Sequence, residues 1–86
     1  MKLEIYTSPT CGFCFRAKKL LEQKNLSFIE YDIFLEPSKR DEMISRTGGK
    51  TSVPQLFLND KYLSDSDGLY ELEDQGKLDQ LIVEAK

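Results

Sequence analysis

The N-terminal part of the chain restricts the fold most, because a strand, a helix and a second strand follow one another there without a linker. Residues 2–6 alternate polar and apolar side chains, which is typical of a strand with one buried face. From Cys11 to about Lys24 the apolar residues recur at helical spacing, and residues 27–34 are rich in the Phe, Ile and Tyr that favour strands. Two strands joined by a helix predict a right-handed parallel βαβ unit.

The middle of the chain predicts a second helix and a hairpin. Pro37 suits the first turn of a helix, where its missing N–H costs little, and the helical pattern extends to about Arg46. Strand patterns at residues 55–58 and 61–63 flank Asn59-Asp60, a pair typical of a hairpin turn. We therefore expect the last two strands to be antiparallel.

The whole pattern predicts an α/β fold with the order β-α-β-α-β-β-α. Asp65 or Ser66 can cap the helix after the hairpin, and apolar residues between positions 78 and 83 form a final helical stretch. A four-stranded mixed sheet flanked by helices is the simplest arrangement of these elements. Because the chain has 86 residues and no repeat or linker, we expect a single domain over residues 1–86.

The charge balance and the cysteine count argue against several classes of protein. Twelve basic and fifteen acidic residues give a net charge of −3, whereas binding to nucleic acid or to an anionic membrane needs clustered Lys and Arg. No stretch approaches the about 18 consecutive apolar residues of a membrane helix, and the N-terminus lacks the apolar run of a signal peptide. Two cysteines are too few for a secreted disulfide scaffold. We therefore expect a cytoplasmic protein with no nucleic-acid and no membrane partner.

The two cysteines lie where the first strand and its turn give way to the first helix. Their i, i+3 spacing puts both side chains on one face of the first helical turn, within disulfide reach. The free N–H groups and positive dipole of the helix end favour a thiolate on Cys11, whereas Cys14 falls on the apolar face. We therefore expect Cys11 to attack a substrate disulfide and Cys14 to resolve the mixed disulfide.

Other roles for the cysteine pair have less support. A zinc site usually has four ligands, and the chain has no histidine and no second cysteine pair, so we expect no metal. Simple core packing is less typical of a C-x-x-C spacing beside a βαβ pattern, and a fixed structural disulfide does not suit a reducing cytoplasm.

Val53-Pro54 is the second signal, because it directly precedes an apolar strand. Proline tolerates a cis peptide bond far better than other residues do. A cis-proline here would expose the backbone N–H and C=O of Val53 as a short edge with which an extended substrate could pair. A trans proline that merely begins the strand is the alternative.

Several segments together resemble the bacterial dithiol glutaredoxins. They are Glu4-Ile5-Tyr6-Thr7, the cysteine pair with Arg16-Ala17-Lys18 and Leu20-Leu21, Ser52-Val53-Pro54-Gln55 with Phe57, Asp67-Gly68-Leu69-Tyr70, and Gly76-Lys77-Leu78. The resemblance covers nearly the whole chain. It implies a thioredoxin-like fold, glutathione as the reductant, and enzymatic reduction of protein disulfides and glutathione mixed disulfides.

The resemblance also implies a role for individual residues. By position, Cys11 is the nucleophile and Cys14 the resolving thiol. The implied glutathione contacts are Phe13, which lines the groove, Val53, whose backbone pairs with the glutathione cysteine, Pro54 in the cis form, and Ser66 and Asp67 at the helix start that receives the γ-glutamyl end. That helix start favours a carboxylate, and Asp67 can pair with an ammonium group, although both residues also suit an ordinary helix cap.

Three departures from the family pattern keep other functions open. Gly12-Phe13 replaces the usual Pro-Tyr and resembles the single-cysteine branch, in which two protomers share a [2Fe–2S] cluster through thiolates and two glutathiones. Cys14 weakens this alternative, because an internal disulfide competes for the Cys11 thiolate. Ser8 replaces a common lysine, and Ser64-Asp65 replaces paired glycines near the γ-glutamyl site. The Ser64-Asp65 replacement leaves thioredoxin reductase as an alternative reductant to glutathione.

The preferred interpretation is a monomeric disulfide reductase with glutathione and disulfide-containing proteins as its partners. No resident metal is expected in this interpretation, and a [2Fe–2S] cluster belongs only to the alternative.

Overall fold

The computed structural model describes all residues from Met1 to Lys86. Its elements are β1 (Leu3–Thr7), α1 (Gly12–Gln23), β2 (Ile29–Asp32), α2 (Pro37–Thr47), β3 (Gln55–Leu58), β4 (Lys61–Ser64), α3 (Ser66–Asp74) and α4 (Lys77–Ala85). The final apolar stretch is a separate helix, because Gly76 adopts a left-handed φ of 70° between α3 and α4. None of these helices is long and apolar enough to cross a membrane.

The strands form one mixed sheet in the order β2-β1-β3-β4. Strand β1 pairs in parallel with β2 and antiparallel with β3, which in turn forms the hairpin with β4. The hairpin turn is Asn59-Asp60, with φ values of 50° and 68°, and such positive values are typical of tight two-residue hairpin turns. The predicted four-stranded sheet, with its βαβ unit and hairpin, is confirmed.

Strand β2 is shorter than the predicted residues 27–34. After Asp32 the chain turns, and the Asp32 carboxylate accepts hydrogen bonds from the N–H groups of Phe34 and Leu35, at 2.9 and 3.0 Å. The apolar composition predicted a longer strand, but an aspartate side chain that bonds nearby backbone donors favours a turn instead.

Helices cover both faces of the sheet. The larger core cluster consists of Leu3, Ile5, Ala17, Leu20, Leu21, Leu56, Leu69, Leu78 and Ile82, and so joins the sheet to α1, α3 and α4. On the other face, Met43 of α2 packs with Tyr6 and Phe57. All residues of β1 are buried, so Glu4 lies under α2 with 2% of its surface exposed. This burial requires a partner for its carboxylate.

Arg46 of α2 is that partner. Its guanidinium donates two hydrogen bonds of 3.1 Å to the two oxygens of Glu4, and a third of 2.8 Å to the hydroxyl of Tyr6. The Tyr31 hydroxyl adds a hydrogen bond of 2.8 Å to Glu4. Burial alone would raise the pKa of the Glu4 carboxyl, but the hydrogen bonds from Arg46 and Tyr31 outweigh burial and hold the pKa below its ordinary value. The network therefore attaches α2 to the central strand.

Candidate redox active site

The cysteine pair lies at the first turn of α1. Cys11 is the N-cap of the helix, with extended backbone angles, and its Sγ accepts a hydrogen bond of 3.0 Å from the N–H of Cys14. The two residues form a disulfide with a Cα–Cα distance of 5.2 Å. The disulfide reach expected from their spacing is therefore observed. The cysteine itself therefore caps the helix.

The two sulfur-bearing side chains differ in accessibility. Cys14 is 1% exposed and lies on the buried face of α1, whereas Cys11 is partly exposed. An incoming thiolate or disulfide can therefore reach the pair from the Cys11 side only. This difference follows from the helical spacing, because Cys14 shares the buried face of α1 with Ala17 and Leu21.

The segment before β3 approaches the disulfide from the neighbouring strand. The Val53-Pro54 peptide bond is cis, and the carbonyl oxygen of Val53 lies 3.7 Å from Cys11 Sγ. The N–H of Val53 donates no hydrogen bond to the rest of the protein. The free edge expected at Val53 is therefore present beside the reactive sulfur.

Gln55 and Tyr62, to which the sequence pattern assigned no role in the site, hold this edge in place. The Gln55 amide donates hydrogen bonds of 3.0 and 3.3 Å to the carbonyl and hydroxyl oxygens of Ser52, and it accepts one of 2.9 Å from the Tyr62 hydroxyl. Gln55 is 1% exposed, so these bonds satisfy a buried amide. A glutamine next to a proline gives no such signal in a sequence, because its partners depend on the hairpin.

A surface groove with a volume of about 120 Å³ adjoins the Val53 edge. Its lining residues are Phe13, Ser52, Val53, Pro54, Asp65, Ser66 and Asp67. The five residues implied as glutathione contacts by the family resemblance are therefore brought together, although they come from three separate parts of the chain. Ser52 and Asp65 are lining residues that the implied set did not include.

The N-terminus of α3 forms one wall of the groove. Asp65 is its N-cap, and the Asp65 carboxylate accepts a hydrogen bond of 2.8 Å from the N–H of Gly68. Neither Ser64 nor Asp65 has a positive φ, so this backbone requires no glycine at the two positions where the family pattern has glycines. The small residue is instead Gly68, where a Cβ would lie 3.0 Å from the Cβ of Ser64.

Lys18, one of the two lysines on α1, is paired with a carboxylate outside the site. Lys18 forms an ion pair of 2.9 Å with Glu30 of β2, and Glu30 also accepts a hydrogen bond from Thr7. Burial would raise the pKa of the Glu30 carboxyl, but these two partners lower it below the ordinary value. Lys18 is therefore occupied by a carboxylate on the neighbouring strand.

Comparison with known proteins agrees with this geometry. The glutaredoxin family model matches residues 3–63. Glutaredoxin 3 of Escherichia coli is 46% identical over 80 residues, which cover 93% of this chain and 95% of that protein. The solution structure of a glutaredoxin from Brucella melitensis has a TM-score of 0.79 and 44% identity, covering 94% of this chain and 87% of the other.

A glutathione complex is also among the similar structures. Buckwheat glutaredoxin, solved with glutathione, has a TM-score of 0.86 at 26% identity, covering 96% of this chain and 77% of the other. Fold, cysteine pair and sequence relatives thus agree on one family. The chain belongs to the glutaredoxins, with their thioredoxin-like fold, and is a thiol–disulfide oxidoreductase.

Proposed function

We propose that the protein reduces protein disulfides and glutathione mixed disulfides, and that glutathione supplies the electrons. The observation that carries this proposal is the groove that runs from the free Val53 edge, whose carbonyl oxygen lies 3.7 Å from Cys11 Sγ, to the N-terminus of α3. A groove of this kind can hold a short peptide-like thiol with its sulfur next to Cys11.

The chemistry assigned to the pair is a two-step exchange. The Cys11 thiolate attacks one sulfur of a substrate disulfide, so that a mixed disulfide forms on Cys11 and the other substrate sulfur leaves as a thiolate. Cys14 then loses its proton and attacks Cys11 Sγ, which releases the second substrate thiolate and forms the Cys11–Cys14 disulfide. Two electrons pass from the protein to the substrate. Two glutathione molecules then return two electrons to the protein, and the two glutathione molecules leave as one molecule of glutathione disulfide.

Glutathione has groups that suit the groove. Its cysteine backbone can pair with Val53, its peptide can lie against Phe13 and Pro54, and its γ-glutamyl end can reach Ser66 and Asp67. The ammonium of that end would pair with the Asp67 carboxylate. The glutathione complex of buckwheat glutaredoxin supports this choice of substrate at the level of the shared fold.

A coupled assay tests the electron source. The protein is supplied with a disulfide substrate and NADPH, together with either glutathione and glutathione reductase or thioredoxin reductase alone. We expect NADPH oxidation in the first mixture at a rate well above the second. Turnover with thioredoxin reductase alone, and none with glutathione, would show that glutathione is not the reductant.

Removing the Asp67 carboxylate should weaken the binding of glutathione mixed disulfides. The substitution Asp67→Ala deletes a charge-assisted hydrogen bond, and we expect a loss of about 1–3 kcal/mol in the binding free energy. The apparent KM for a glutathionylated peptide measures this loss, and Asp74→Ala, at the other end of α3, is the control. An unchanged KM in a folded Asp67→Ala protein would leave Asp67 with a structural role at the helix start.

We also propose that the protein acts as a monomer in the cytoplasm. Support for a monomer is that the proposed exchange needs only Cys11 and Cys14, which form a disulfide within one chain. Support for the cytoplasm is that its glutathione pool can return the disulfide to the dithiol. Sedimentation at working concentration tests the monomer, and a redox-sensitive alkylation of the cysteines in cells tests the compartment.

A further inference from the structure

The groove beside Cys11 contains negative charge without a matching cation. Asp65 and Asp67 are its only charged lining residues, and no Lys or Arg is among the other five. Two cations of α1 have partners elsewhere, because Lys18 pairs with Glu30 and the Arg16 guanidinium lies 5.0 Å from the centre of the Tyr70 ring, and Lys19 does not line the groove. A group bound in the groove therefore meets two carboxylates at the α3 end.

Asp65 is fixed in this position by its role as a cap. Its carboxylate holds the N–H of Gly68, a donor that a bound anion would otherwise use at the N-terminus of α3. An incoming carboxylate would have to compete for that donor and approach a like charge. An incoming ammonium or guanidinium group would be attracted to both aspartates.

We propose that Asp65 and Asp67 make the enzyme select disulfides that carry a cationic group next to the sulfur that binds Cys11, over matched disulfides that carry a carboxylate there. The cation can belong to a small aminothiol or to a lysine or arginine beside a substrate cysteine. The inference rests on the thiol–disulfide exchange at Cys11 described above, and it adds a charge preference to that site.

The charge would act while the substrate is held on Cys11. In the mixed disulfide, the group attached to the substrate sulfur occupies the groove until Cys14 releases it. Attraction between that group and the two aspartates therefore stabilises the mixed disulfide and the transition state leading to it. Binding and attack, rather than the release step, should carry the preference.

Single-turnover oxidation of the reduced protein tests the proposal without any glutathione. The protein is mixed with cystamine, 2-hydroxyethyl disulfide or 3,3′-dithiodipropionate, which carry two positive, no and two negative charges. Quenching and mass spectrometry give the rate constant for each disulfide. The quantity compared between variants is the ratio of the cystamine rate to the dithiodipropionate rate. Differences in intrinsic disulfide reactivity and in Cys11 thiolate reactivity cancel in this comparison.

The variants separate charge from structure. Asp65→Asn keeps an equally good helix cap and removes the charge, and the double variant with Asp67→Asn removes both charges. Asp74→Asn removes a charge from the exposed far end of the same helix and is the control. We expect the rate ratio to fall at least about fivefold in the double variant, which corresponds to about 1 kcal/mol, the energy of two unit charges about 4 Å apart in water. The control should keep the wild-type ratio.

Salt and peptide substrates complete the experiment. Raising the salt from about 0.01 M to about 1 M shortens the Debye length from about 30 Å to about 3 Å, so the wild-type ratio should fall as well. A pair of disulfide peptides with Lys or Glu beside the cysteine distinguishes the two sources of the cation. Faster reaction of the Lys peptide would indicate that the cation belongs to protein substrates. A preference found only with cystamine would indicate that it belongs to small aminothiols.

The outcomes against the proposal are distinct from a failure of the exchange reaction. If the double variant reduces all three disulfides with the wild-type ratio, the aspartates do not select charge and the inference is wrong. If the wild-type protein reduces none of the three, the exchange at Cys11 itself is absent, and both proposals fall.

Discussion

Replacing Cys11 with serine should abolish all thiol-transfer activity, a loss of at least about a thousandfold in kcat/KM. Cys11 carries the only partly exposed sulfur of the pair, and Cys14 is too deeply buried for a substrate disulfide to reach. Serine cannot form a disulfide, so no mixed disulfide with substrate can form. Assays with a glutathionylated peptide and with an oxidised protein, in the presence of glutathione and glutathione reductase, measure the effect.

The matched variant Cys14→Ser should separate the two reactions. Reduction of a glutathione mixed disulfide needs one thiol, because a second glutathione can release Cys11, and this activity should remain. Reduction of a protein disulfide uses the resolving thiol and should fall strongly. The assignment of roles is wrong if both variants lose the reduction of glutathione mixed disulfides to the same extent. Unfolding midpoints of the two variants should be compared, since Cys14 is a core position.

Replacing Arg46 with methionine should have the largest effect on stability. The Glu4 side chain is 3% exposed and would keep its charge without the two hydrogen bonds from the guanidinium. Breaking a buried pair in this way costs about 3–5 kcal/mol, a large part of the total stability of a small domain. Methionine retains apolar contact with Phe57, over whose ring the guanidinium lies at 3.9 Å. Urea unfolding measures the loss.

A double variant and a pH series identify the cause of the stability loss in Arg46→Met. Glu4→Gln together with Arg46→Met removes the unpaired charge and should recover part of the loss, whereas no recovery would mean that packing dominates. The pKa of Glu4 is lowered in the native protein, so its contribution to stability is present above its ordinary pKa of about 4.3 and disappears as the pH falls through the lowered value. Without Arg46, burial should raise the pKa. The difference in stability between wild type and Arg46→Met should therefore shrink as the pH falls.

Much of the fold was predictable because its signals are local. The helical spacing after Cys11, the proline at position 37 and the Asn59-Asp60 turn each determine their element within a few residues. The environment of Glu4 was not predictable. Alternation of polar and apolar residues at the N-terminus predicts one solvent-exposed face of β1, yet α2 covers that face. Arg46, the partner of Glu4, lies 42 residues away in the sequence. A long-range pair of this kind leaves no periodicity in the chain.

The candidate site was likewise predictable only in part. The disulfide and the cis peptide bond follow from short motifs, and the family resemblance supplied five residues that the fold does bring to one groove. The capping bond from Gly68 to Asp65 was not predictable as a feature of the groove, because Asp65 and Ser66 are both good caps. Which of them accepts the bond depends on where β4 ends.

The hairpin turn indicates where the protein can be tethered to a surface or fused to another domain. Asn59 accepts a hydrogen bond of 2.8 Å from the N–H of Lys2 and donates one of 3.2 Å to the carbonyl of Ala85, so both flanks of the folded unit meet at one point. Lys2 precedes the strand whose other end leads to Cys11, which puts this point at the opposite end of the sheet. A tether joined before Lys2 or after Ala85 would therefore point away from the dithiol. The protein could be immobilised, or fused to a reporter domain, with its groove facing outward.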